Sequence, residues 1–455
     1  MMIKANLVVI GAQAAGMSAA SRAKRKKPEM DILVLEKGDH VSYGACGLPY
    51  FVADLVKEME GLVVHSALFF KEKRGIPILT RHECIAIHPV EKTVVARSLD
   101  SGEEVKIQYD GLVIGTGNEP TWPEALSGRE LQGAFTLKTI EDGMKIKSYI
   151  EELTPKSAVI IGAGIIGLEM AEALSARGMA ITILKRPGSI LRMLDDAMTL
   201  LVEEELAKHG VVLIKNAEIT SINGENGVVK SVTSNQTEYP ADLVLVAAGA
   251  TPRSALAQAS GLAIGSFGEI VVDDRMMTSD PFIYACGDCV GQIHRVSGQP
   301  VYQPRGTTAN KQGRIAGENA AGGDDRFPGI LGTAVCKIFD LEVACTGLNE
   351  TTAKHAGFDA AVSDISHPSH AHTYPHPHPE PIHIRLVLEK GSGRLLGAQM
   401  VGKIGVAKRI DVFATAIYNE MTVQEIGNLD LSYSPPFAPV WDAVLVAANA
   451  AVKKI

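Results

Sequence analysis

Short apolar runs punctuate the first two thirds of the chain, each closing on glycine or on a charged residue. Leu7-Val8-Val9-Ile10, Ile32-Leu33-Val34-Leu35, Ala158-Val159-Ile160-Ile161 and Ile181-Thr182-Ile183-Leu184 are of this kind, as are Val113-Ile114 before Gly115 and Leu245-Val246-Ala247-Ala248 before Gly249. Unbroken runs of four or five apolar residues, too short for helices, read as parallel strands buried on both faces. Between members of a pair lie helical stretches, Met17 to Lys27 in the first and Leu168 to Arg177 in the second. The last third changes character. Ile382 to Leu388 and Leu395 to Val401 read as strands, followed by a helix over Ala407 to Asn419. The pattern predicts an α/β protein with two strand–turn–helix–strand units and a separate C-terminal α+β unit.

The turns inside those units carry the first chemical information. Gly11-Ala12-Gln13-Ala14-Ala15-Gly16 follows the first strand, and Glu36 ends the second, 25 positions after Gly11. This order lets backbone amides and a helix N-terminus face a pyrophosphate, while the acid takes ribose hydroxyls. Gln13 stands where a second glycine is usual. The copy at Gly162-Ala163-Gly164-Ile165-Ile166-Gly167-Leu168-Glu169 has all three glycines, about 150 positions further on. Two such turns in one chain point to an enzyme that holds two dinucleotides. After the second unit's strand the acid is replaced by Lys185-Arg186, two cations suited to a 2′-phosphate, so NADPH is expected over NADH.

Composition narrows the class. The 455 residues are 46% hydrophobic, with 44 glycines, and carry a formal charge of −8, which gives no reason to expect a nucleic acid partner. Six cysteines at 46, 84, 286, 289, 336 and 345 show no disulfide framework, and no leader or membrane-length apolar run is evident; a cytoplasmic protein with reduced thiols is expected.

Cys46 stands apart from the others. It lies in Ser42-Tyr43-Gly44-Ala45-Cys46-Gly47-Leu48-Pro49, with no second cysteine within reach along the chain. A redox thiol without an internal partner must form a mixed disulfide with a small thiol, or a sulfenic acid. Pro49 suits a first helical turn, and a cysteine at that entry is expected to gain thiolate character from the helix dipole.

Ile283 to Val290 reads Ile-Tyr-Ala-Cys-Gly-Asp-Cys-Val, a strand turning at Gly287-Asp288. With the two glycine turns, this chain resembles the FAD-dependent pyridine nucleotide–disulfide oxidoreductases over nearly its whole length. The segment around Cys46 is similar to their single-cysteine branch, which includes coenzyme A-disulfide reductases, NAD(P)H persulfide and polysulfide reductases, and NADH oxidases. The resemblance implies two Rossmann-like domains and a dimerisation domain: FAD at 1–112 and 247–322, NAD(P) at 113–246, and the interface at 325–455. It places FAD against Gly11, Gln13, Ala14, Ala15, Gly16, Glu36, Lys37, Ser42, Cys84, Thr116, Gly117, Gly287, Asp288 and Ala309. NADPH falls to Gly162, Gly164, Ile165, Ile166, Gly167, Glu169, Lys185, Arg186 and Gly249, with NADH as an alternative. The flavin turn accounts for Cys286-Gly287-Asp288-Cys289, which alone would read as a redox dithiol.

Two absences bear on the branch. A histidine that the oxidase and peroxidase members carry in the first glycine turn is replaced by Ala14, and the dithiol reductases' C-terminal His…Glu pair is missing. Present instead are Leu431-Ser432-Tyr433-Ser434-Pro435 and His372-Thr373-Tyr374-Pro375, similar to stretches whose tyrosines reach the partner subunit's cysteine in coenzyme A-disulfide reductases. Tyr433, assisted by Tyr374, is therefore expected to protonate a leaving thiolate or orient the disulfide. The cationic run Arg22-Ala23-Lys24-Arg25-Lys26-Lys27 is either a solvated helix end or a site for coenzyme A phosphates. The resemblance selects Arg22, Lys24 and Ser42 for coenzyme A, with Phe70 and Arg74 nearby. Ala45 replaces an asparagine frequent in that family, removing one substrate hydrogen bond. Six histidines between His367 and His383 are broken up by prolines, and no metal site is expected there. The expected activity is coenzyme A-disulfide reduction through a mixed disulfide on Cys46, in a homodimer. Persulfide or polysulfide reduction, an oxidase cycling through sulfenic acid, and a non-catalytic flavin redox sensor remain as alternatives.

Overall fold

The computed structural model describes residues 2–455. Its first unit is built on a seven-stranded sheet. Ile78–Leu79, Ile32–Leu35, Met2–Ile10, Glu104–Ile114, Thr93–Ser98 and His82–His88 follow one another across it, and Ile283–Ala285 pairs with Glu104–Ile114 as well. Ile32–Leu35, Met2–Ile10, Glu104–Ile114 and Ile283–Ala285 run parallel, and the two strands beyond them are antiparallel. The helices Ala14–Lys26 and Gly306–Ala320 pack side by side over the parallel strands. They approach closely because glycines on one face meet main chain on the other: a Cβ at Gly313 would lie 2.2 Å from the Ala15 carbonyl oxygen.

The second unit repeats the arrangement with five parallel strands: Val212–Lys215, Ala180–Lys185, Ser157–Ile161, Leu243–Val246 and Ala134–Phe135. A three-stranded antiparallel meander, 219–240, packs on one face, where Ile222, Val229 and Val232 join Val159, Ile161 and Val244 in one apolar cluster. Asn118–Pro120 and Ala250–Pro252 form a two-stranded ribbon joining the units. The boundary expected at 112 therefore moves. Val113 and Ile114 still belong to the first sheet, and Ala247 still donates to Ile161 of the second.

The C-terminal unit is one antiparallel sheet of Ala334–Ile338, Leu341–Gly347, Leu395–Gly402, Pro381–Glu389 and Ala360–Pro368, backed by the helices Val406–Tyr418 and Ala443–Ala451. Its first two strands share a hydrophobic cluster with the second unit, in which Cys336, Ile338 and Val343 lie against Leu168, Ala171 and Leu174. Fully burying apolar side chains of this size is worth about 1.5–3 kcal/mol each, so the interface domain and the second unit form one block.

Candidate redox site

The two glycine turns are superimposable in their hydrogen bonding. Gly11 donates to the Leu35 carbonyl at 2.8 Å and Gly162 to that of Leu184 at 2.9 Å. A Cβ at Gly16 would strike the Gly11 oxygen at 1.8 Å, and one at Gly167 the Gly162 oxygen at 2.2 Å. These glycines are required by close approach. The middle position is different: a Cβ at Gly164 would meet nothing within 4 Å, which is why Gln13 fits the same place. Gln13 uses the freedom to donate from Nε2 to the His40 carbonyl at 3.0 Å.

Beyond both turns the helices Ala14–Lys26 and Ile165–Ala176 begin without a side-chain cap and without an acid in the first turn. Five other helices, starting after Ser66, Thr139, Asn349, Thr422 and Asp442, carry such a cap. Two uncapped N-termini behind glycine turns leave backbone donors and positive dipole ends for anionic ligands, and a dinucleotide pyrophosphate fits each. Glu36 is held beside the first: its carboxylate accepts from Ala12 N at 2.7 Å and Gly38 N at 2.8 Å. Burial raises its pKa against the opposing pull of those two amides. Lys185 occupies the matching position of the second unit, but its side chain is turned inward. The residue is 7% exposed, and Nζ donates to Arg186 O at 2.7 Å. This corrects the expectation that both cations of the pair present themselves. Arg186 faces solvent; the Lys185 pKa is depressed first by burial and then by the charges of Arg192, farther along the same loop and unremarked in the sequence, and Arg186.

The remaining first-unit residues expected at the flavin lie on neighbouring elements. Gly287 has φ +82° and sits so tightly over Ala15 that a Cβ would lie 2.6 Å from its methyl; the close approach to Ala309 is looser, at 3.5 Å. Its amide donates to Gln312 Oε1 at 3.0 Å, which aims the adjoining Asp288. Asp288 pairs with Lys138 at 3.0 Å. Lys138 had no motif to mark it, and an ion pair across 150 positions leaves no local signal. Thr116 donates from Oγ1 to Arg253 O at 2.6 Å beside Gly117, and Ser42 donates to Ala12 O at 2.9 Å. Lys37 pairs with Glu83 at the rim. Cys84 is half-buried, with its thiol pushed up to about 12 by burial. Cys286 and Cys289 are fully buried free thiols, Cys289 Sγ donating to Cys286 O, so they form a structural turn and not an accessible dithiol.

Cys46 is the exposed cysteine among six free ones. It lies on a single 3₁₀ turn, Ala45–Gly47, that runs into the five-residue helix Leu48–Val52. The expected dipole activation is overturned. A one-turn helix supplies little dipole, and the Cys46 pKa is raised, first by burial of the sulfur and next by the Glu169 carboxylate, with Lys138 opposing. Glu169, on the helix of the second glycine turn, is itself pushed up to about 7 by burial and by neighbouring Glu172. The second dinucleotide turn thus delivers an ionisable carboxyl to the thiol. Gly249, at φ +120°, accepts from Thr121 N at 2.9 Å where the chain returns to the ribbon.

Two other expectations change. Phe70 is core, 5% exposed, among Met17, Ala20 and Ile76. The neighbouring Phe69 is the half-exposed ring, stacked on His65 at 4.1 Å between centroids with the Arg74 guanidinium 5.8 Å from its centre. Of the cationic run, Lys24 is used internally, Nζ donating to Met30 O at 2.9 Å, and Arg22 pairs with Glu318 at 2.7 Å. Arg22 also belongs to a field of arginines. Arg25 is depressed in pKa by burial and then by Arg22, Arg74 and Arg314, which places these four together at the surface. Arg314, on the Gly306–Ala320 helix, is reached only through the fold. Tyr374 and Tyr433 stand open on the C-terminal unit at 42% and 50% exposure. The histidine run brings no three metal-ligating atoms together among the described residues; the one such group is Glu205, His209 and Asp340.

Two dinucleotide turns, an aspartate turn at the end of a parallel strand and one exposed thiol define a two-nucleotide redox enzyme. Comparison with known proteins states the family. The pyridine nucleotide-disulphide oxidoreductase family matches residues 5–310, and its dimerisation domain matches 333–444. The chain belongs to this family of FAD- and NAD(P)H-dependent oxidoreductases. It is 39% identical over 449 residues to the NAD(P)H coenzyme A polysulfide/persulfide reductase of Pyrococcus horikoshii, covering 98% of both chains. It is 31% identical to the coenzyme A disulfide reductase of Staphylococcus haemolyticus, covering 96% of this chain and 97% of that one. A solved NAD-dependent persulfide reductase from A. fulgidus superimposes with a TM-score of 0.95 at 43% identity, over 100% of this chain and 83% of that one. No helix among the described residues is long and apolar enough to cross a membrane.

Proposed function

We propose that this enzyme uses NAD(P)H to reduce a sulfur–sulfur bond carried by coenzyme A, through a mixed disulfide on Cys46. The observation that carries the reading is that Cys46 is exposed while the other cysteines are buried or half-buried and none is bonded to it. An accessible thiol with no internal resolving partner takes its partner from outside. A flavin bound at the first unit supplies the relay of reducing equivalents from nicotinamide to sulfur. The chain's own residues do the rest. The Cys46 thiolate attacks one sulfur of the disulfide, releasing one thiolate and leaving Cys46 bonded to the other half. Tyr433 of the partner subunit, with Tyr374, protonates the departing thiolate. Two electrons then cleave the mixed disulfide and free the second thiol. Arg22, Arg25, Arg74 and Arg314 hold the nucleotide phosphates, with Phe69 as the exposed stacking face.

Coenzyme A disulfide is the first reading, supported by the likeness to a coenzyme A disulfide reductase and by a basic field suited to nucleotide phosphates. A persulfide or polysulfide acceptor is the second reading, favoured by the 39% and 43% identities to persulfide reductases against 31% to the disulfide reductase. Anaerobic NADPH oxidation with coenzyme A disulfide, glutathione disulfide, cystine and polysulfide separates them. Turnover on coenzyme A disulfide well above the other disulfides, abolished in Cys46→Ser, is expected. Turnover confined to polysulfide selects the second reading, and full activity in Cys46→Ser refutes both.

A further inference from the structure

The loops carrying Tyr374 and Tyr433 meet on one guanidinium. Arg409, on the helix Val406–Tyr418, has a side chain 12% exposed. Its Nη2 donates to the Ser369 carbonyl at 3.0 Å, at the head of the first loop, and to the Phe437 carbonyl at 2.9 Å in the second. Nη1 donates to Gly405 O at 2.9 Å and Nε to Asp442 Oδ2 at 2.9 Å. Asp442 in turn accepts from Val444 N at 2.9 Å, capping the helix Ala443–Ala451. A Cβ at Gly405 would lie 2.2 Å from Arg409 Nη1, so that turn is free of a side chain where the fork sits. One direct link, Ala371 N to Pro435 O at 3.1 Å, joins the loops beside it. Among the described residues no other side chain donates to main-chain carbonyls of both loops.

We propose that Arg409 is a positioning residue for disulfide reduction, fixing Tyr374 and Tyr433 as one rigid pair; this rests on the tyrosine reading given above. The two phenols come from irregular segments far apart in sequence, and each ring stands on the surface. Two independently moving loops would not present both hydroxyls to one sulfur–sulfur bond, and a misplacement of about 1 Å costs on the order of a hundredfold in rate. A planar fork with five donors suits two carbonyls in different loops together with a carboxylate. Both loop carbonyls accept from Nη2, while Nη1 holds Gly405 O and Nε holds Asp442; a lysine ammonium, with three donors on one atom, cannot serve all four partners at once. His370 supports the first loop from beneath. It is 3% exposed, its ring is held by Ser369 Oγ and Pro377 O at 2.9 Å each, and it lies edge-on to Tyr374 with centroids 6.1 Å apart.

A double-mutant cycle on the FAD-loaded dimer tests the assignment. Arg409→Gln is expected to lower kcat/KM for coenzyme A disulfide about tenfold or more, as the double variant Tyr374→Phe/Tyr433→Phe does. Combining all three changes should lower it less than about twofold further. NADPH-driven reduction of the flavin and the reactivity of the Cys46 thiol should stay at wild-type values, because Arg409 touches neither. Unchanged disulfide turnover in Arg409→Gln, or a loss that multiplies with that of the tyrosine variant, overturns the positioning role. Wild-type turnover in the tyrosine variant removes the tyrosine reading itself, and the clamp's catalytic role with it. Should Arg409→Gln fail to dimerise, Arg409→Lys, which keeps the charge without the fork, is taken through the same cycle with the same criteria.

Discussion

At the scale of single residues, the thiol and its carboxyl neighbour set the chemistry. Glu169 belongs to the second dinucleotide turn by sequence, yet its charge is felt at Cys46. Removing a negative neighbour favours the thiolate, so Glu169→Gln should lower the Cys46 pKa, read as a shift of the alkylation-rate profile toward lower pH. A shift upward, or none, would show that burial alone governs the thiol. In wild type the Glu169 carboxyl, titrating at about 7, is neutral below that pH and charged above it. Rising pH through neutrality therefore adds the charge that holds the thiol protonated. Cofactor choice is argued at the same scale. With Lys185 folded onto its own loop, Arg186→Ala should cut the NADPH/NADH ratio of kcat/KM by about tenfold, the worth of a hydrogen bond to a charged group, and by more than Lys185→Ala does. The reverse order would mean that Lys185 swings outward when the cofactor arrives.

At the scale of elements, the second unit is fastened to the C-terminal sheet by an ion cluster centred on the buried Arg385–Asp195 pair. Arg385, on Pro381–Glu389, reaches Asp195 of the second unit at 3.1 Å, together with Glu350 at 3.1 Å and Asp364 at 3.2 Å. Asp195 also accepts from Gln399 Nε2 at 2.7 Å and donates its amide to the same side chain at 2.7 Å. Arg385→Ala would leave the Asp195 carboxylate, 10% exposed, without its cation, a cost of about 3 kcal/mol, while Glu350 keeps Lys354 and Asp364, 54% exposed, turns to water. A lowered midpoint of thermal unfolding is expected; an unchanged one would mean that the acids find water or one another. The strands, glycine turns and Gly287-Asp288 turn were legible in the sequence because each is a local pattern with its own physics. Lys138, Arg192, Arg314 and Arg409 were not, since each acquires its meaning from partners brought near by the fold. Phe70 and Phe69 show the same limit within two positions: adjacent rings on a helix point to different faces, and the choice between them depends on which face the sheet covers.

At the scale of the whole molecule, the C-terminal unit leaves Phe437, Val440 and Trp441 at 77%, 68% and 59% exposure beside Tyr433. In a chain whose residues 333–444 match a dimerisation domain, this apolar ridge is assigned to a second copy. On the proposal that the tyrosines act across the interface, Trp441→Lys should shift sedimentation toward the monomer and depress disulfide turnover together. A monomer with full turnover would place the chemistry within one chain.

The open space over Gly164, filled by Gln13 in the matching turn, has a consequence for how such chains are found. Of the three glycines in the usual fingerprint, two are enforced by collisions with a carbonyl oxygen; the middle one is enforced by nothing in the protein. The shortest honest signature of this turn is two glycines five apart between a buried strand and a helix. A scan demanding all three would register one nucleotide where the polypeptide is built for two.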